Sequence, residues 1–236
     1  MNYVKNRLRD LLEDLDAKVE VIGVVADRWP QIDLSGDDEG IATNYIAQEI
    51  GFCPDKIQAV ERYATLKGYV TDIIDGSATL EVDVGVFEPS IVMVSVPLTH
   101  LQASLADGRI IELKRIAEFY GLCKDLPTQV KIIQIDRKRN HIEAELATNQ
   151  FLKYKLWIES LMDRLIVIGA TSDEVQKILD YTGLKRDVIN VEPLGAFEHA
   201  LTCKLGTDAV GLVTIVGKRL KNAKFRVFSS RKLWKA

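Results

Sequence analysis

The chain has 236 residues, 47% hydrophobic and 28% charged, with a net charge of −3. That is apolar material for two or three small cores. It excludes a polycation that coats nucleic acid, and no stretch approaches the ~18–20 apolar residues of a membrane span.

The N-terminal MNYVKNRLRDLLEDLD alternates in charge and has no apolar core, so neither a signal nor a transit peptide is expected and a cytoplasmic protein is. Val4, Leu8, Leu11, Leu12 and Leu15 recur at helical spacing and predict a helix over 3–15. Residues 18–25 (KVEVIGVV) read as a strand, and Pro30 allows an extended segment at 31–34. In SGDDEG (35–40), Ser35 or Asp37 can cap a helix over 41–50. Asp38 and Glu39 sit at its positive end, and Gly51 stops it.

The period then changes. Strands are expected at 66–74, 78–87 and 91–96, with Asp75-Gly76 as the first turn. On the second, Leu80, Val82, Val84 and Val86 share one face, and Thr79, Glu81, Asp83 and Gly85 the other. Helices over 98–106 and 110–120 follow, then strands at 129–135 and 141–147 around the charged turn DRKRN. The last third opens with a helix over 149–162. It continues with a strand at 165–168, a helix from a capping box of Thr171 and Glu174 to Gly183, strands at 187–192 and 198–204, a helix over 209–220 capped by Thr207 or Asp208, and a strand at 224–228. After its leading helix this is the β-α-β-β-α-β ferredoxin-like order.

An internal echo aligns Leu34, Asp37, Gly40 and Ile41 with Leu205, Asp208, Gly211 and Leu212. Either strand-to-cap chemistry is shared, or the two end modules share a fold that the first presents without its leading strand.

Three strands, a helical connection and two strands are the order of an OB barrel. Gly68-Tyr69-Val70-Thr71-Asp72 opens this module, and Val130-Lys131-Ile132-Ile133-Gln134-Ile135-Asp136 with Arg137-Lys138-Arg139-Asn140-His141 closes it. Both resemble the ends of ribosomal S1-type RNA-binding domains. That resemblance implies bases stacked on aromatics beside a basic groove. It places Tyr69, Phe87, Arg137, Lys138 and Arg139 against single-stranded nucleic acid, with His141 beside them. The sequence departs from the family in the carboxylates of Glu81, Asp83, Glu143 and Glu145 and in the two inserted helices.

Over the whole chain, Trp29-Pro30-Gln31, Ser35-Gly36-Asp37-Asp38-Glu39, Val82-Asp83-Val84-Gly85, Val96-Pro97-Leu98, Leu105-Ala106-Asp107-Gly108 and Cys203-Lys204-Leu205-Gly206-Thr207-Asp208-Ala209 are similar to a conserved archaeal family, domain of unknown function 2110. The resemblance implies an archaeal cytoplasmic origin and assigns no activity. The expected architecture is α+β: a central OB/S1-like barrel (63–148) between an N-terminal α+β module (1–62) and a C-terminal ferredoxin-like module (149–236).

Catalytic patterns are few. Cys53, Cys123 and Cys203 have no CxxC spacing and read as free thiols in a reducing compartment. His100, His141 and His199 have no metal-ligand spacing, and Asp37, Asp38 and Glu39 read as a helix start rather than a metal site. Gly206-Thr207-Asp208-Ala209 opens a helix, where Asp208 would oppose a phosphate, and Cys203 reads as a core residue rather than a nucleophile. No catalytic residue, metal or cofactor is expected.

Charge is uneven. From Leu201 onward Lys204, Lys218, Arg219, Lys221, Lys224, Arg226, Arg231, Lys232 and Lys235 face one acid, Asp208, a net of +8 that leaves −11 for the first 200 residues. Basic residues with Trp234 interleaved suit a polyanion. The resulting expectation is a non-enzymatic RNA-binding accessory protein of translation, transcription or RNA processing. A protein-interaction scaffold or self-associating adaptor is the alternative, and no membrane partner is expected.

Overall fold

The computed structural model describes residues 2–26 and 28–229. Of these, the residues up to 60 together with 85–92 form one compact unit, and 61–84 with 93–229 form a second.

In the first unit α1 (Asn2–Leu11) and α2 (Glu39–Glu49) pack on the hairpin of β1 (Lys18–Val25) and β2 (Trp29–Ser35), and β3 (Asp55–Lys56) follows. Leu8, Leu12, Val19, Ala42 and Ile46 form its core. Helix α1 ends four residues before the apolar periodicity does, because the chain must reverse into β1. Asp16 holds that reversal: its amide donates to the Asp38 carboxylate at 2.9 Å and its carbonyl accepts the Asp38 amide at 3.1 Å. The N-cap of α2 is therefore Asp38 rather than Ser35 or Asp37, and its side chain serves Asp16 instead of its own helix. Gly85, at φ +83°, packs against Cys53 and Trp29. A Cβ there would collide with the Cβ of Cys53 and lie 3.0 Å from the Trp29 ring.

A closed five-stranded barrel is made by β4 (Thr65–Val70), β5 (Thr79–Glu88), β6 (Val92–Pro97), β7 (Pro127–Asp136) and β8 (His141–Leu146); all of it lies in the second unit except the end of β5 and the first residue of β6. Antiparallel pairs join β5 to β4, β4 to β7 and β7 to β8. Strand β8 runs parallel to β6, and β6 pairs with β5 to close the circuit. This is an OB-type Greek-key barrel. Val70, Leu80, Val82, Val84, Val94, Val96, Val130, Ile132, Ile142 and Ala144 alternate into its interior, each 0–1% exposed. At Gly68 a Cβ would stand 2.6 Å from the Asp83 carbonyl, so only glycine lets β4 approach β5 this closely. Strand β4 stops at Val70, short of the expected residue 74. Its carbonyl is taken by the Asp125 amide, and Asp72 is drawn to Lys124 at 2.6 Å.

Helices α3 (Leu98–Leu105) and α4 (Leu113–Tyr120) are inserted between β6 and β7, and α5 (Thr148–Glu159) follows the barrel. The C-terminal module comprises β9 (Arg164–Ile168), α6 (Ser172–Thr182), β10 (Val188–Pro193), β11 (Glu198–Cys203), α7 (Ala209–Gly217) and β12 (Lys224–Phe228). Its antiparallel sheet has the order β10-β11-β9-β12, the ferredoxin-like arrangement. The Thr171–Glu174 capping box starts α6 and Asp208 caps α7. Both helices cover the face that carries Leu165, Val167, Leu201 and Cys203.

The opposite face meets α4 and α5. Tyr120, Tyr154, Trp157 and Phe228 make a closed circuit of edge-on and tilted rings with centroids 5.1–6.1 Å apart. Such pairs are each worth about 0.5–1.5 kcal/mol beyond area burial. Arg164, 6% exposed, stacks on Trp157 at 4.9 Å and on Phe228 at 5.9 Å. One guanidinium nitrogen donates to the carbonyls of Trp157 and Met162 and to the Ser160 hydroxyl, closing the C-terminal end of α5.

Arg164→Ala should cost about 2–4 kcal/mol in a denaturant titration, because one buried and two part-buried acceptors lose their donor and the ring circuit loses its cation. Gly85→Ala should lower the melting temperature with a loss above about 1 kcal/mol, since φ is positive and the Cβ has no room.

Candidate nucleic-acid interface

On the barrel surface where S1-type domains offer a stacking platform, this chain presents acid that is already engaged. The Glu81 carboxylate accepts hydroxyls from Thr79 at 2.8 Å and Ser95 at 2.9 Å. On the neighbouring strands Lys131 pairs with Glu145 at 3.3 Å. Tyr69 is half-buried on β4, opposite Asp83 on β5 and Pro127 on β7. Phe87, near the end of β5, belongs to the other compact unit.

The β7–β8 hairpin tip is different. Asp136 accepts the amides of Lys138 and Arg139 at 3.0 and 3.1 Å, which fixes the turn from within. Arg137, Lys138, Arg139 and His141 are exposed around it. Lower on the same hairpin β7 bulges at Ile133, where the register slips between Ile132 and Gln134. A bulged residue leaves backbone groups outside the ladder. The Ile133 carbonyl accepts Nε of Arg62 at 2.8 Å, and the Ile132 carbonyl accepts the Tyr63 amide at 2.8 Å. The Arg62 guanidinium lies 4.7 Å from the Tyr63 ring centroid. Tyr63 is 58% exposed and has a φ of +70°, a conformation that L-residues adopt only when their surroundings impose it. Three residues separate Ile133 from the turn, or about 10 Å along a strand. An aromatic ring, its cation and the basic turn therefore share one edge of the barrel. Sequence reading missed Arg62 and Tyr63: they precede β4, and only the bulge on a strand 70 residues away brings them to the hairpin.

Among the described residues the C-terminal cations are not gathered into one patch. Lys218 and Lys221 lie beyond α7, and Arg219 there stacks on Tyr181 at 4.4 Å. Lys224 pairs with Asp125 at 2.7 Å. Because Phe225 and Val227 pack into the helix-covered core, Lys224 and Arg226 belong to the other side of β12. Arg226 lines a cleft of about 770 Å³ with Cys123, Lys124, Asp72, Asp75 and Lys114. Lys124 and Lys114 there are matched by Asp72 and Asp75 at 2.6 and 2.8 Å. Arg231, Lys232 and Trp234 lie outside the described residues.

Reactive side chains are shielded. Burial pushes the Cys203 thiol up to about 11, with Asp163 adding to it, and burial also raises Cys123. Neither is suited to a thiolate nucleophile. Among the described residues no cluster of three or more His, Cys, Asp or Glu could hold a metal, and no helix is long and apolar enough to cross a membrane. His199, 2% exposed, shares a hydrogen bond of 3.0 Å with the Ala170 carbonyl through Nε2, so Nε2 carries the proton, and its Nδ1 has no partner. Burial lowers its pKa, and the bond to Ala170 opposes that only in part.

Among known proteins, the profile of the DUF2110 N-terminal domain matches residues 1–56 and that of the DUF2110 C-terminal domain residues 162–228, together just over half of the chain. The second match coincides with the ferredoxin-like module. No curated protein matches. Solved structures that align include a protein of vaccinia virus, Wisconsin strain, at 16% identity over 37% of this chain and 89% of that one, with a TM-score of 0.25. Another is the a/eIF2alpha–aDim2p–rRNA complex from Pyrococcus horikoshii OT3, at 13% identity over 55% and 70%, with a TM-score of 0.28. A third is the intact alpha subunit of aIF2 from Pyrococcus abyssi, at 9% identity over 72% and 96%, with a TM-score of 0.27.

With a depressed folded pKa, His199 takes up a proton more readily in the unfolded chain, so its contribution is complete above the ordinary value of 6.5 and is lost as pH falls below it. Melting temperatures measured from pH 8 to pH 5 should fall on the acid side, and His199→Gln should flatten that limb.

Proposed function

The chain belongs to the DUF2110 family, and we propose that it is a non-enzymatic RNA-binding protein that holds a single strand along the β7–β8 edge of its barrel. An accessory role in archaeal translation, transcription or RNA processing fits that activity. The observation that carries the reading is the Arg62–Tyr63 pair beside the Arg137–Lys138–Arg139 turn. Stacking of a base on an exposed aromatic contributes about 1–3 kcal/mol and tolerates any base, and cations track the phosphates. A strained, exposed tyrosine flanked by an arginine offers the first, and the turn offers the second.

The engaged carboxylate of Glu81 argues against the usual strand face as the path of the strand, since a fixed anion there repels a phosphodiester. The binding edge thereby moves to the hairpin tip. The cleft beside Arg226 contributes less, because Lys114 and Lys124 are already matched by carboxylates.

Fluorescence anisotropy with a labelled single-stranded RNA tests this. The wild-type protein should bind with a steep salt dependence. Tyr63→Ala should weaken binding about 5- to 100-fold with little change in salt slope. Replacing Arg137, Lys138 and Arg139 together by Gln should reduce the slope by about 2. An isotherm that does not move between low and high salt, or no binding at all, would leave the scaffold reading, in which the acidic strand face meets a basic protein.

A further inference from the structure

The N-terminal hairpin repeats half of the C-terminal module. In order, α1-β1-β2-α2 corresponds to α6-β10-β11-α7. In the C-terminal module the second edge of β11 is filled by β9, and every residue of β11 is buried. Among the described residues of the N-terminal unit nothing corresponds to β9: β2 pairs only with β1, and its exposure alternates down to Ser35. Ile32 and Leu34 pack against the core and are only half-buried, while Pro30, Gln31, Asp33 and Ser35 are exposed. An open edge whose inward side chains are apolar is a template for a further strand.

The sequence of β2 complements itself. We propose that this edge pairs antiparallel with the same edge of a second copy of the chain, about a two-fold axis at Ile32, giving a continuous four-stranded sheet β1-β2-β2-β1. The β1–β2 register then determines every cross-strand row. On the inner face Val21 and Ile32 meet Ile32 and Val21 of the second copy. The next inner row runs Val19, Leu34, then Pro30 and Val24 of the second copy, so Val24, 47% exposed in the single chain, gains an apolar row. On the outer face Glu20 already stands beside Asp33, an unfavourable acidic pair. The two-fold places Gln31 of the second copy on the far side of Asp33, where its amide N–H donates to the carboxylate. Centring the axis one residue later would set Asp33 against Asp33, and like charges directly opposite disfavour that register. A two-fold contact of this kind is isologous, so the dimer closes and does not propagate.

Sedimentation velocity over a concentration series, on nuclease-treated full-length protein, tests the proposal. The mass should rise from 26.5 kDa towards twice that value with concentration. Gln31→Glu, an exposed change that should leave the circular dichroism spectrum unaltered, sets two carboxylates opposite each other and should return the protein to a monomer. Adding Asp33→Lys to it sets the introduced carboxylate opposite an introduced ammonium and should restore the dimer. A wild-type chain that stays monomeric at the highest attainable concentration would overturn the proposal, and so would a Gln31→Glu protein that still dimerises. A double variant that fails to recover would do the same, because the recovery depends on this register.

Discussion

A buried guanidinium organises the larger unit. Arg164 begins β9, the strand second from one edge of the ferredoxin-like sheet, and reaches to the end of α5 on the side away from α6 and α7. Burial draws its pKa down while Glu192 holds it up, so the charge is retained by bonding and not by solvent. A buried charge is tolerable only when its donors are used. Here the aromatic rings of Trp157 and Phe228 and the carbonyls at the end of α5 supply most of that environment, while Nε is buried without a hydrogen-bond partner. The same four-ring circuit reaches Tyr120 on the barrel's inserted helix, and Gly121, with φ +67°, lets the chain leave that helix close against Ile166 and Phe228. Barrel and ferredoxin-like sheet are consequently packed around one shared aromatic cluster, and the second face of the ferredoxin-like sheet is covered.

That packing decides which surfaces remain. The open face of a ferredoxin-like sheet is covered by α4 and α5. The strand face of the barrel carries a carboxylate held by two hydroxyls. Arg137, Lys138 and Arg139 stay exposed at the tip of the β7–β8 hairpin, with a tyrosine and an arginine fastened to the bulge below them. The bulge links fold and proposed function. The extra residue at Ile133 frees one carbonyl, the carbonyl captures Arg62, and the capture holds the ring of Tyr63 in an otherwise costly backbone conformation.

Local electrostatics explain why the described part of a strongly basic region does not become a single surface. The C-terminal run carries many lysines and arginines, yet Lys224 is taken by Asp125 and Arg219 by the ring of Tyr181. Among the described residues, alternation along β12 turns Arg226 away from the helix-covered core, while Lys218 and Lys221 lie beyond α7. Net charge along a sequence counts residues, while potential depends on where neighbours of opposite sign lie.

Much was legible from residue order alone. Short apolar and alternating runs bounded by turn residues located the five barrel strands and the four of the C-terminal sheet, and the Thr171–Glu174 box and the glycines at 121 and 183 marked helix ends, because each signal is carried by residues within one or two turns of each other. Local signals also misled where a distant partner intervened. Asp38 deserts its own helix for Asp16, the strand at Val70 stops where Asp125 and Lys124 claim it, and α1 ends early to make the reversal. The stacking pair at Arg62 and Tyr63 and the burial of Arg164 have no sequence signature at all, and the unfilled edge of β2 showed only as one reading of the echo between the two end modules. Each exists because residues tens of positions apart meet, and which carbonyl a bulge frees, or which edge lacks a neighbour, is decided only when the strands close on one another.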